Sequence, residues 1–405
     1  MSISQLASQV SESPTLKLNA QARLLREKGE PVIHLGAGEP KNKTPITAVM
    51  GSAAKLKEGD IKYVPTDGIP SLKNAIVLYT EENYGRLVSP DNIIVTNGAK
   101  QSLFNILFSI VDPKDEVILI APYWVSYPEM VKMVRGVPVA VTPEDTNFIP
   151  TIKEIEDAVT SKTKAIIINS PNNPSGVVYP ESFVSDLVDY CEKKEIFLIT
   201  DDIYHKLVFD GVVAPSAYNY TKNKIEDTKV IVVNGVAKTY GMTGYRIGWT
   251  VANKNLVQTM ANTQSQMTSC PSVVSQAAAN GALTGSQSVV ENLRLMIQNH
   301  RDVLMQGLDT FTNVKTVKPY GSFYAFPDFS SYNKNSSELS EFLLEKALVV
   351  TVPGGAFGMD GHLRISCSGP MKDLIEGINR MKWALDPNAP NEIYIGNRKL
   401  IRDWK

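Results

Sequence analysis

The sequence predicts an α/β fold: a mostly parallel sheet covered by helices on both faces, joined to a smaller α+β domain. Two observations carry this expectation. From about Asn92 to residue 285, short β-branched runs alternate with stretches of helical periodicity. After about residue 285 the rhythm changes to helical stretches separated by isolated short apolar runs. A chain of 405 residues, 43% hydrophobic and 20% charged, also holds more than one compact domain usually does.

The elements follow in order. Ile93–Thr96 reads as the first buried strand, and Leu103, Phe104, Leu107, Phe108 and Val111 then recur at helical spacing. The alternation repeats through Val117–Ala121, Ala165–Ile168, Phe197–Thr200 and Lys229–Val233. Ahead of Phe197, the residues Phe183, Leu187 and Cys191, with Val184 and Val188 beside them, make an amphipathic stripe. Right-handed crossovers place the carboxyl ends of such strands on one edge, where these folds bind ligands. Beyond residue 285 come a helix from Val289 to Phe311, the segment Tyr320–Phe329, and a helix at Leu339–Ala347. Val349–Val352, Leu363–Ser366 and a closing helix from Met371 to Leu385 complete the series. The expected division is a large domain over residues 45–285 and a small one from residues 1–44 and 286–385. Residues 386–405 read as an appended tail with no assigned role.

Composition excludes several classes of function. Lys and Arg number 41 against 42 Asp and Glu, so no strong field favours nucleic acid or an anionic membrane as partner. The cysteines Cys191, Cys270 and Cys367 lie far apart without metal-ligand spacing, which fits a reducing compartment. His34, His205, His300 and His362 are scattered, so no metal site can be drawn. The N-terminus lacks a secretory pattern, and the apolar runs are far short of the ~20 residues of a membrane span. A soluble cytoplasmic protein acting on small molecules is expected.

Four polar or glycine-rich segments fall just after expected strands. Asn97-Gly98-Ala99-Lys100 offers backbone NH groups at a helix start, suited to a phosphate, or forms an ordinary turn. Ser170-Pro171-Asn172-Asn173-Pro174-Ser175-Gly176 is either a tight turn or a rigid loop aiming an Asn into a site. In Thr200-Asp201-Asp202-Ile203-Tyr204, Asp201 follows an apolar run; it is a helix cap or a buried carboxylate in need of a cationic partner. Lys238, after the strand ending at Val233, is a solvated lysine or an amine placed to form a Schiff base with an aldehyde cofactor.

In this order the segments resemble a known family. AKTYGMTGYRIGW, preceded by SPNNPSG and DDIY, resembles the signatures of the class I, fold-type-I aminotransferases over about residues 10 to 385. The resemblance implies a seven-stranded sheet in the large domain, pyridoxal 5'-phosphate as cofactor, and a homodimer with shared active sites. Position by position, Lys238 matches the cofactor-linked lysine. Asp201 matches the carboxylate that keeps the pyridine nitrogen protonated. Tyr204 and Asn173 match residues bonding the cofactor's phenolic oxygen. Arg246 matches the phosphate-binding arginine, alongside the backbone of Gly98, Ala99 and Lys100. Trp124 matches the ring stacked on the cofactor, and Tyr63 the tyrosine that reaches the neighbouring subunit's phosphate. For substrate, Arg364 matches the clamp on the α-carboxylate, with Gly38, Trp124 and Asn173 around it.

The chain also departs from the pattern. Ala237 stands where many members have a phosphate-binding serine, and EPKNKTP puts Lys41 and Lys43 where acidic residues are common. Lys17 lies in the segment that covers substrate in relatives. All three lysines are expected to be solvated unless one meets substrate.

TNGAKQSLFNI and APYWVSYPEMV are most like the bacterial-type aspartate (aspartate/prephenate) aminotransferases, in which the lysine matching Lys100 helps hold a distal carboxylate; otherwise Lys100 contributes only charge at the phosphate site. The expected reaction is ping-pong transfer of an amino group from L-aspartate to 2-oxoglutarate. An aromatic or neutral amino-acid aminotransferase is the rival, and a carbon–sulfur lyase or aminocyclopropane carboxylate synthase would share the scaffold. A sensor domain of a transcription regulator would need a DNA-binding domain in front, and the likeness begins within the first fifteen or so residues.

Overall fold

A computed structural model describes residues 3–11, 14–396 and 398–404. The chain starts with two helices, α1 (Gln5–Ser8) and α2 (Pro14–Glu27), and a short strand, β1 (Ile33–His34). Helices α3 (Ile46–Glu58) and α4 (Pro70–Tyr84) follow, each ended by a left-handed glycine, Gly59 and Gly85. The alternation then runs β2 (Ile93–Thr96), α5 (Ala99–Ile110), β3 (Glu116–Ile120), α6 (Ser126–Met133), β4 (Val137–Val141) and α7 (Ile152–Ala158). It continues with β5 (Thr163–Asn169), α8 (Glu181–Lys194), β6 (Phe197–Asp201), β7 (Val230–Gly235) and β8 (Gly248–Val251). Three helices lead out of the sheet: α9 (Lys254–Met267), α10 (Val273–Thr284) and α11 (Ser288–Leu308). The rest comprises β9 (Tyr324–Ala325), α12 (Ser336–Ala347), β10 (Val349–Val350), β11 (Val352–Pro353), β12 (Leu363–Ser366) and α13 (Met371–Leu385). A hairpin of β13 (Glu392–Ile395) and β14 (Arg398–Ile401) follows.

The main sheet has seven strands in the order β2-β8-β7-β6-β5-β3-β4. Only β8 runs against its neighbours. Successive side chains of each strand feed opposite faces. Ile118, Ile166, Leu198 and Val232 enter one core, while Leu119, Ile167, Ile199 and Val233 enter the other. Burial on both faces explains the near-continuous apolar runs, and each such side chain contributes about 1.5–3 kcal/mol. The stripe on α8 packs as expected, with Phe183, Val184, Leu187, Val188 and Cys191 buried.

A third core gathers Ile33 and Leu35 with side chains of α11, α12, α13, β9 and β12. The tail docks on this unit. Trp404 meets Phe342 and Trp383 edge-on at 5.4 and 5.3 Å, Asp403 pairs with Lys346 at 2.8 Å, and Arg398 with Glu30 at 3.0 Å. Among the described residues, no helix is long and apolar enough to cross a membrane.

This topology positions the site. The carboxyl ends of β2, β3, β5, β6 and β7 share one edge with the start of the reversed strand β8. All four polar segments therefore emerge together.

Candidate active site

A cavity of about 850 Å³ opens at that edge, between the sheet and the β12 unit. Lys238, Asp201, Tyr204, Asn173, Trp124, Arg246, Ala99, Lys100, Gly38 and Arg364 all line it.

Lys238 enters from the loop after β7 and is partly buried in the cavity wall. Its Nζ donates to the Gly38 carbonyl, and the Phe323 ring lies 5.9 Å away. Burial and the nearby Arg364 guanidinium push its ammonium down to about 8. A lysine that loses its proton this readily is suited to act as nucleophile and base.

Asp201 ends β6, fully buried, and accepts a hydrogen bond from Tyr127 Oη at 2.7 Å. Burial pushes its carboxyl up to about 6, against the pull of that bond and of the Ile203 backbone NH. Asp202 beside it is pushed up to about 8 by burial and by the Asp201 charge. Among the described residues no cation contacts the Asp201 carboxylate, whose side-chain partner is the Tyr127 hydroxyl. A group with a protonated ring nitrogen would satisfy that carboxylate.

The loop after β5 is held by its own side chains. Asn172 Oδ1 accepts from the Ser175 backbone NH and hydroxyl at 3.0 and 2.8 Å, and Asn173 N donates to Asn169 Oδ1 at 2.8 Å. Gly176 closes it at φ +72°, where a Cβ would meet the Tyr324 carbonyl at 2.7 Å. Asn173 lines the cavity, and its Oδ1 accepts from Arg364 Nη1 at 3.0 Å.

Arg364 comes from β12. Its Nη2 donates to the Gly36 carbonyl at 3.0 Å, and its guanidinium lies 4.4 Å from the Tyr324 ring centroid. Nε is buried with no hydrogen-bond partner. Among the described residues no carboxylate pairs with this buried cation, which leaves a place for an anionic ligand group. Tyr204 Oη sits 3.4 Å from Tyr324 Oη. Burial, with the neighbouring Tyr324 second, holds the Tyr204 hydroxyl well above its ordinary value.

The start of α5 and Arg246 line another part of the cavity. Helix α5 begins at Gly98 with no side chain capping it, so its first NH groups face the site beside Arg246. Gly98 is required there: at φ +85° a Cβ would meet Arg246 Nη2 at 2.6 Å. Arg246 is steadied by the Thr243 carbonyl at 3.0 Å. Ala237 lines the same region and offers no hydroxyl. Lys100 Nζ lies 4.8 Å from the Trp124 ring centroid, and burial with Arg246 lowers its proton affinity.

Some expected residues are not brought in. Tyr63 is 89% exposed and lies outside the cavity of its own chain. Lys43 is exposed and Lys17 faces Glu341 at 3.9 Å, whereas Lys41 lines the cavity, paired with Glu39 at 2.9 Å. Sequence reasoning missed Tyr127, Tyr324, Glu39 and His34. Tyr127 had a signal, since it sits one helical step from Trp124 and their rings meet edge-on at 5.4 Å. His34, from β1, has its Nε2 2.6 Å from Asn19 Oδ1, and burial with Arg26 lowers it to about 4, so it is neutral.

Open NH groups with an arginine, an unmatched buried carboxylate, a readily deprotonated lysine and an unpaired arginine fit a phosphorylated aldehyde with a basic ring nitrogen. Comparison with known proteins agrees. The profile of Aminotransferase class I and II matches residues 30–381. A probable aspartate/prephenate aminotransferase of Aquifex aeolicus is 40% identical over 392 residues, 94% of this chain and 98% of that protein. The aspartate aminotransferase of Bacillus subtilis is 36% identical over 395 residues, 96% and 100% of the two. The crystal structure of the aspartate aminotransferase from Rhizobium meliloti superposes with TM-score 0.91 at 34% identity, covering 95% of this chain and 99% of that one. The Thermus thermophilus aspartate aminotransferase with maleate gives TM-score 0.90 at 36% identity, covering 95% and 100%. The chain belongs to the class I and II aminotransferases and is a pyridoxal-phosphate-dependent enzyme of that family.

Proposed function

We propose that this aminotransferase moves the amino group of L-aspartate to 2-oxoglutarate in two half-reactions, with Lys238 as the catalytic lysine. One observation carries the substrate reading: Lys238 and Arg246 would be taken up by the cofactor and Arg26 is held on the Val32 carbonyl, and the cavity still offers Arg364 and Lys100, neither with a carboxylate partner among the described residues. Two such cations suit a dicarboxylate better than an aromatic or neutral side chain. The names of the Bacillus and Rhizobium relatives, and the maleate bound by the Thermus enzyme, support the same class.

When bound, pyridoxal phosphate supplies an aldehyde for the amine and a ring that draws electrons from the α-carbon. The residues around it have distinct tasks. The first turn of α5, with Gly98, Ala99 and Lys100, and Arg246 would hold the phosphate, and Trp124 the ring face. Asp201 would hold a proton on the ring nitrogen, with Tyr204 and Asn173 at the phenolic oxygen. Arg364 would take the α-carboxylate in the fork it already shares with Asn173. Nζ of Lys238 would remove the Cα proton. With its affinity near 8, about a tenth of this amine is neutral at pH 7, against well under a thousandth for an ordinary lysine.

The test is a half-reaction. Given L-aspartate and no oxo acid, the holoenzyme is expected to lose the visible band of the lysine-bound cofactor and gain the near-ultraviolet absorbance of the aminated one. 2-Oxoglutarate should then restore the band. Conversion by aromatic or alanine-like amino acids alone would overturn the aspartate assignment.

The proposal includes a homodimer in which Tyr63 serves the neighbouring site. Ile46, Val49, Met50, Ile61 and Tyr63, large apolar side chains left exposed along one stretch of the chain, support it. Mixed and refolded Lys238→Ala and Tyr63→Ala chains, each impaired alone, should regain about a quarter of wild-type sites, because each mixed dimer has one intact site. No recovery, with mixed dimers demonstrably formed, would refute the shared site.

A further inference from the structure

We infer that Tyr324 is a positioning residue for the transfer reaction: its ring holds the Arg364 guanidinium and its hydroxyl holds that of Tyr204. The inference deepens the reading of the site given above and rests on the tasks assigned there to Arg364 and Tyr204.

The strand register puts these groups together. Tyr324 in β9 pairs antiparallel with Ser366 in β12. Opposed residues share a face, and so do residues two apart on one strand, so Arg364 is the diagonal neighbour of Tyr324. Both side chains are buried, and both line the cavity together with Ser366. Tyr324 has little freedom to move. Its carbonyl lies 2.7 Å from where a Cβ on Gly176 would stand, and the Phe323 ring is 4.5 Å from its own.

A buried guanidinium is usually paired with a carboxylate. Among the described residues Arg364 is held otherwise: by the Gly36 carbonyl, by Asn173 Oδ1, and by the rings of Tyr324 and Phe357 at 4.4 and 5.1 Å. A ring face attracts a cation without neutralising it. The guanidinium is thereby kept in place with its charge left for a ligand carboxylate. Tyr324 is the nearer of the two rings, and the one that also reaches Tyr204.

Its hydroxyl has a separate task. Tyr204, from the loop after β6, meets the Tyr324 ring edge-on at 6.0 Å, and the two Oη atoms are 3.4 Å apart. Among the described residues neither hydroxyl has another hydrogen-bond partner. That separation is long for a hydroxyl pair, as catalytic bonds that tighten on ligand binding often are. With Tyr204 donating to the cofactor's phenolic oxygen, its own oxygen accepts from Tyr324, and a hydroxyl that accepts is a stronger donor. One side chain from the β12 unit thus ties the substrate clamp to a cofactor contact on the main sheet.

The test uses the holoenzyme and separates the two parts of the side chain. Tyr324→Leu removes ring and hydroxyl, and should weaken calorimetric binding of maleate, a dicarboxylate without an amino group, by about tenfold. Tyr324→Phe keeps the ring and should bind maleate within about twofold of wild type. The pH midpoint of the visible band reads Tyr204, because donation to the phenolic oxygen lowers the proton affinity of the bond linking Lys238 to the cofactor. Tyr324→Phe should move that midpoint up by about 0.3 pH unit. The charged groups around Lys238, namely Arg364, Glu39, Arg246 and Asp201, are the same in this variant. The inference is overturned if Tyr324→Leu, with its visible band formed, binds maleate as tightly as wild type. An unchanged or lowered midpoint in Tyr324→Phe overturns it equally, and decides alone should the leucine variant fail to fold. If wild type and Arg364→Ala bind maleate equally, the reading of Arg364 fails and takes the inference with it.

Discussion

Lys238→Ala should remove the visible band of bound cofactor and lower turnover by about four orders of magnitude or more, because one amine serves as attachment point and as base. The geometry makes the loss hard to compensate. Glu39, Tyr204 and Lys100 also line the cavity, but Glu39 and Lys100 are exposed and burial holds the Tyr204 hydroxyl well above its ordinary value. Lys238→Arg is the sharper version. It keeps the positive charge beside Gly38 and Asp201, yet a guanidinium neither condenses with an aldehyde nor gives up its proton near neutral pH. The variant should fold with wild-type stability, bind the cofactor without the shifted band, and turn over no faster than the alanine variant. Near-wild-type turnover in either protein would show that another group performs the chemistry.

The sheet was legible because its inner strands are buried on both faces and so appear as unbroken β-branched runs. Ile93–Thr96 and Phe197–Asp201 are clear cases. Strand β4 escaped notice because it lies at the sheet edge, contains Pro138 and leaves Val137 exposed. Strand β8 escaped because four residues starting at a glycine carry little pattern. Within the segment Tyr320–Phe329, Tyr324–Ala325 forms strand β9. The tail became a docked hairpin, held by Trp404 against side chains far back in the chain.

The site followed the same division. Its four loops are local in sequence, so their residue types pointed to the chemistry. Their mutual contacts are not local. Tyr127 reaches Asp201 across 74 residues and Arg364 reaches Asn173 across 191, and no spacing rule encodes either. Resemblance supplied Arg364 and Tyr63. The fold brings the first into the cavity, and the second stays on the surface of its own chain.

Asp201→Asn should lower turnover on the order of a thousandfold while the visible band still forms, since the amide leaves Lys238 intact but cannot hold a proton on the ring nitrogen. The pH behaviour follows from the same burial. In the cofactor-free protein Asp201 titrates at about 6, so cofactor affinity should fall as pH drops through that value and the carboxylate is neutralised. Tyr127→Phe removes a hydrogen bond that favours the charged form, and should move this fall up by about one pH unit. Asp201→Asn should abolish it.

Stability should change in the opposite sense. A carboxyl whose affinity is raised on folding ionises first in the unfolded chain, so its ionisation works against the native state. Its contribution is lost as pH rises from about 4 to about 6 and amounts to about 3 kcal/mol. The cofactor-free Asp201→Asn protein should therefore melt higher than wild type at pH 7, with the difference vanishing below pH 4. Bound cofactor, by pairing with the carboxylate, should narrow that gap at pH 7. A variant that lost both activity and stability would mean that Asp201 is a structural group. Gain in one with loss in the other is the signature of a buried charge kept for its ligand.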